Sequence, residues 1–214
     1  ASSDPAATVY YTTDGATPTS NALRYTNTLA LSNTTTFRAI AVKTDWISST
    51  VAAHSYLFLA NVALQSAKPA GFPATWGGVA ADYGMDADIL SNSQYRAQLE
   101  SALLSLPSMS LVLDLDDLFN SSTGIYANPT SEGDFCERPC SIELLYPDGT
   151  KGFQINCGVR IQGGAFRSAG MCAKHSFRLL FKSEYGPTKL RFPLFGDDAA
   201  REFDSIVLRA GAND

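Results

Sequence analysis

Apolar and polar residues alternate in several short runs of this chain, and helical stripes are scarce. Thr8-Val9-Tyr10-Tyr11-Thr12-Thr13 is rich in β-formers and stops at Asp14-Gly15, a turn signal. Further β-prone runs cover 23–31, 35–43 and 51–59, each bounded by Asn, Ser or Asp. In the third of these four runs Thr36, Arg38, Ile40 and Val42 share one face, with Phe37, Ala39 and Ala41 on the other. Short strands at this spacing predict part of an antiparallel β-sandwich over 1–59. Residues 60–106 then form a linker. Pro69, Pro73 and the glycines near Trp76 make 60–88 irregular, and 93–106 is helical. Tyr95, Leu99, Ala102, Leu103 and Leu106 fall on one stripe, with Asn92 or Ser93 as cap and Pro107 as stop. A buried strand is expected at 108–113.

The strongest local pattern is a hairpin. Cys140, Ile142, Leu144 and Tyr146 share one face of the first strand; Phe153, Ile155, Cys157, Val159 and Ile161 share one face of the second. A turn centred on Asp148-Gly149 places Ile142 opposite Ile155, Leu144 opposite Phe153 and Cys140 opposite Cys157. A third strand, 174–182, sets His175, Phe177, Leu179 and Phe181 against Lys174, Ser176, Arg178 and Leu180. The predicted class is therefore α+β and β-dominated: a partial sandwich, a linker with one helix, and a second antiparallel sheet from about 107 to the end.

Composition narrows the partners. With 45% hydrophobic residues the chain can bury a core, and a net charge of −5 without a basic block argues against a nucleic-acid surface. The apolar runs fall far short of a membrane span. The opening Ala1-Ser2-Ser3, without a Met, and the ending just past an apolar run are expected to be cuts in a longer chain.

Candidate chemistry lies mostly in the second half. The 4 cysteines cluster there, and the hairpin register favours a Cys140–Cys157 disulfide, leaving Cys136 with Cys172. Cys136 and Cys140 on one extended strand would sit ~13 Å apart, too far to bond. A zinc site is the alternative, but C-x₃-C without a second close pair suits it poorly. Asp114-Leu115-Asp116-Asp117 offers a D-x-D pair for Mg²⁺, or else Asp116 caps a short helix with Asp117 at its positive end. In the first sixty residues Tyr11, Tyr25 and Trp46 either stack on sugar rings or fill the sandwich. His54 reads as structural. Finally, Arg160, Gln162, Lys174, Ser176 and Arg178 project from the non-core face around the loop 163–170. Backbone N–H groups at Gly163 and Gly164 can approach a phosphate with no Cβ in the way, and a strand lysine can reach its oxygens. A solvated sheet face with a glycine turn accounts for the same spacing.

Two resemblances bear on these readings. Tyr10-Tyr11-Thr12-Thr13-Asp14-Gly15-Ala16-Thr17-Pro18-Thr19, followed by Phe37-Arg38-Ala39-Ile40-Ala41, resembles the fibronectin-III-like module at the C-terminus of chitobiases. Phe153-Gln154-Ile155-Asn156-Cys157-Gly158-Val159-Arg160-Ile161-Gln162-Gly163-Gly164, then Lys174-His175-Ser176-Phe177-Arg178-Leu179, is similar to the CotH family. So are Glu137-Arg138-Pro139, Tyr185-Gly186, Pro193-Leu194-Phe195-Gly196-Asp197 and Leu208-Arg209-Ala210-Gly211-Ala212-Asn213-Asp214. CotH proteins are atypical kinases, named for a spore-coat member, that move the γ-phosphoryl of ATP to protein Ser or Thr. The resemblance implies that 107–214 is the first part of a kinase-like domain, its sheet an N-lobe, using ATP and Mg²⁺ to phosphorylate protein Ser or Thr. It implies Lys174, Arg160, Gly163, Gly164 and Arg178 as phosphate-binding residues and places no catalytic residue in this chain, since base and metal ligands would come from a second lobe. The same likeness implies an exported bacterial protein acting on a coat or surface protein. The rival reading is a non-catalytic extracellular module that binds carbohydrate or serves in coat or adhesion.

Overall fold

A computed structural model describes residues 2–211. The first strands are β1 (Thr8–Thr12), β2 (Leu23–Arg24), β3 (Thr35–Val42) and β4 (Ala52–Tyr56), followed by α1 (Leu59–Val62). Next come β5 (Thr75–Trp76), β6 (Val79–Ala80), α2 (Ala87–Ser91), α3 (Ser93–Leu103), β7 (Ser108–Val112) and α4 (Leu115–Phe119). The second half holds β8 (Arg138–Leu145), β9 (Gln154–Gln162), β10 (Ser176–Leu180), β11 (Leu190–Arg191), β12 (Glu202–Phe203) and β13 (Ser205–Leu208). The class is α+β with β dominant. Among the described residues no helix is long and apolar enough to cross a membrane.

The chain forms two compact units that do not follow chain order. The first gathers Ala1–Gln65, Met85–Asp114 and Glu143–Gln154; the second gathers Ser66–Gly84, Leu115–Ile142 and Ile155–Asp214. In the first unit a four-stranded antiparallel sheet runs β2-β1-β3-β4, with Tyr11 opposite Ala39 and Phe37 opposite His54. The expected strand at 23–31 shrinks to Leu23–Arg24, since residues 25–34 are irregular. Tyr11 is buried with its ring stacked on Phe37, centroids 4.8 Å apart. Arg38 is buried too, against the expectation of an ordinary alternating face. Its guanidinium reaches the Gly15 carbonyl at 2.8 Å and Asp114 at 3.2 Å.

Asp114 also accepts from the Thr17 backbone N–H and hydroxyl, at 2.7 and 2.5 Å. Its carboxylate is therefore engaged by both Thr17 and Arg38. Asp116 lies inside the first turn of α4 rather than at its cap, and Asp117 pairs with Arg138 at 3.5 Å. Helix α3 begins as expected, with Asn92 accepting from the Gln94 and Tyr95 N–H groups, but stops at Leu103. Its apolar stripe is not a core face, for no residue of α3 is buried.

The hairpin turn belongs to the first unit. Leu144 donates its N–H to the Phe153 carbonyl at 2.8 Å, so these residues face each other as the turn demands. Gly149 takes a positive φ of 79°, and a Cβ on Gly152 would lie 1.8 Å from the Leu144 carbonyl oxygen. The hairpin closes only because both are glycine.

In the second unit β10 lies between β9 and β13, with Leu179 opposite Val159 and Ile206. Ile142, Cys157, Val159, Leu179 and Leu190 are its most buried side chains. The 66–84 stretch, expected as a bare connector, supplies Trp76 to this core, where the indole N–H donates to the Tyr83 hydroxyl at 2.8 Å. Tyr126 joins the same aromatic cluster, 5.5 Å from Trp76 and 4.8 Å from the His175 ring.

Candidate anion site

Strand β9 presents Arg160 directly opposite Arg178 of β10. Like charges facing across a ladder repel, so this pair needs a counter-charge. Part of it comes from Glu137, 3.5 Å from the Arg160 guanidinium. Arg178 donates to the Ser205 hydroxyl at 3.2 Å, and its Nε is buried without a hydrogen-bond partner among the described residues.

Both arginines line a cavity of about 320 Å³ with Gln162, Gly163, Cys136 and Arg167. Gly163 has a positive φ of 130°, a conformation that disfavours a side chain and turns the backbone at the cavity edge. Arg167 is committed elsewhere: its Nε donates to the Pro129 carbonyl at 2.7 Å, and its terminal nitrogens hold the Ser131 carbonyl and, at 3.1 Å, Glu132. It ties the 165–167 turn to the 129–132 segment and adds positive charge. Chemically the cavity suits a compact anion, because its uncommitted donors are guanidinium groups.

The structure thus brings Arg160, Gly163 and Arg178 together, but not Lys174 or Gly164. Strand β10 starts at Ser176, so Lys174 sits in the approach to it, with Nζ 3.2 Å from Asp82 and 59% of its side chain exposed. Period-2 counting carried the strand two residues too far toward its start. Sequence reasoning also passed over Arg167 and Glu137. The first lay within the glycine loop already singled out; the second stood in the Glu137-Arg138-Pro139 string without a role.

Cys140 and Cys157 are buried neighbours, as the hairpin register requires, yet all 4 cysteines are free thiols in the structure. The contact with Cys140, then burial, pushes the Cys157 thiol well above the ordinary range, so it stays protonated and inert. Cys136 lines the anion cavity, while Cys172 donates to the Lys174 carbonyl at 2.7 Å.

Of the aromatic candidates in the first unit, Tyr11 belongs to the core and offers no free face. Tyr25 is partly exposed, and Trp46 is 71% exposed with the Lys43 ammonium 5.0 Å from its ring centre. His54 serves structure by contacting Glu143 at 2.9 Å. The motif segment Ala212-Asn213-Asp214 lies outside the described residues.

No curated protein and no solved structure matches this chain. Residues 1–56 match the family model described as Fn3 associated. The chain therefore begins with a fibronectin-III-associated module.

Proposed function

We propose that residues 107–214 form the phosphate-binding first lobe of a CotH-type kinase, in an exported protein that phosphorylates Ser or Thr of a protein partner. The observation that carries this reading is the Arg160–Arg178 cross-strand pair, opening with Gly163 onto one cavity. A bound triphosphate supplies the charge that two facing guanidiniums lack, and the buried unpartnered Nε of Arg178 is a donor in want of an acceptor. ATP would bring Mg²⁺ with it, and metal ligands and a catalytic base would come from a second lobe. In this scheme Lys174, held by an exposed pair with Asp82, stands outside the phosphate cradle. The rival, a non-catalytic carbohydrate-binding module, draws support from the exposed ring of Trp46.

Calorimetry of the chain with ATP and Mg²⁺ tests the reading. One site is expected, weakened about tenfold by Arg178→Ala, the size of one lost charge-assisted contact. A chain extended downstream should transfer phosphate to protein, and Arg178→Ala should suppress that transfer. Absence of ATP binding, together with polysaccharide binding that depends on Trp46, would establish the rival instead.

A further inference from the structure

Glu137 is the most heavily engaged carboxylate of the second unit, and its side chain is only 1% exposed. Lys182 donates to both of its oxygens, at 2.9 and 2.7 Å, and the Tyr185 hydroxyl stands 3.4 Å away. Arg160 approaches at 3.5 Å, an ion pair longer than a hydrogen bond, so its donors stay available to a second acceptor. Buried carboxylates are costly unless several partners compensate them, and here three side chains converge.

The burial is built by sequence features that otherwise lack a purpose. A Cβ on Gly158 would lie 2.4 Å from the Tyr185 ring, so glycine in the middle of β9 lets that ring lie against the strand. Gly186 is less tightly held, since a Cβ there would sit 3.0 Å from the Asn156 carbonyl oxygen. The Tyr185 phenol is pushed up to about 12, by burial first and then by the charge of Glu137, so it remains a neutral donor. The hydrogen bond from Lys182 to Glu137 holds the ammonium above the usual lysine range.

We propose that Glu137 is a positioning residue for the anion cavity: clamped by Lys182 and Tyr185, its carboxylate steers the Arg160 guanidinium toward the bound phosphate. This rests on the proposed phosphate site but assigns a role to a residue outside the cavity wall. The competing view, a bystander charge, makes the opposite forecast. A carboxylate near an anion site weakens anion binding through its field, so neutralising a bystander tightens binding. Neutralising a positioning residue loosens it, because Arg160 loses its anchor.

The experiment measures tripolyphosphate and Mg²⁺–ATP binding to the chain and to Glu137→Gln, Glu137→Asp and Arg178→Ala, with melting followed by circular dichroism. Positioning predicts roughly tenfold weaker tripolyphosphate binding in both Glu137 variants, at temperatures well below melting. Glu137→Asp keeps the charge but withdraws it by one methylene, so it also decides the matter should Glu137→Gln fail to fold. Unchanged or tighter binding in the variant that folds overturns the inference, even where Arg178→Ala weakens binding and the phosphate site stands. Tripolyphosphate binding without any gain for ATP rejects the nucleotide reading but leaves the role of Glu137 standing if its variants weaken. Failure of the parent chain to bind either anion overturns both.

Discussion

Strands β3 and β9 each lie inside their sheet, yet they end in opposite conditions. In β3 the one buried residue is Arg38, and every apolar neighbour keeps partial contact with solvent. In β9 Cys157, Gly158, Val159 and Ile161 are all buried. Pairing on both sides does not by itself dry a strand; its faces must be covered. Over β9 the Tyr185 ring occupies the space above Gly158. Beside β3, Tyr11 of the neighbouring β1 stacks on Phe37, but Phe37 itself is not fully buried. Period-2 patterning therefore reports which way a side chain points and says little about how much water it loses.

This contrast has measurable consequences. Leu179 is fully buried opposite Val159, so Leu179→Ala should cost about 3 kcal/mol in urea unfolding, the usual scale for a truncated core leucine. A loss below about 1 kcal/mol would mean that this sheet is no better covered than β3. In the first unit the largest single effect should come from a charged residue. Arg38→Ala empties a buried position and takes the guanidinium from the Gly15 carbonyl and from Asp114, which keeps Thr17; it should cost about 2 kcal/mol, more than Phe37→Ala if the thin burial of β3 holds in solution.

A pH effect should belong to the second unit. His175 is buried with both ring nitrogens lacking a well-placed partner among the described residues. Burial holds its imidazole below the usual value of 6.5, the nearby Phe166 backbone opposing and the Arg167 charge assisting. The folded state thus binds the proton less readily than the unfolded one. Its contribution is whole above pH 6.5 and is lost as pH falls from there through the lower folded value. Melting temperature measured from pH 7.5 to 5 should fall, and His175→Asn should flatten that slope; an unchanged slope would place the acid sensitivity elsewhere. The smallest effect should be that of Trp46→Ala. With its ring already in water, the change should stay within about 0.5 kcal/mol. A larger loss would show that the module is covered there by something beyond the Lys43 side chain.

What the sequence determined alone was local. The Asp148-Gly149 turn and the two-residue period place Leu144 against Phe153, because both signals act within a few residues of the pairing they specify. The β-dominated class and the opening module were legible for the same reason. Tertiary structure decided the site. Glu137 meets Lys182 and Tyr185 far along the chain, and no spacing rule links such positions. Lys174 lost its expected place because β10 begins only at Ser176, a limit set by pairing with Gln162 rather than by alternation. Arg160 and Arg178 are neighbours because two strands chose one register, and a charge pair of that kind exists only after the sheet has formed.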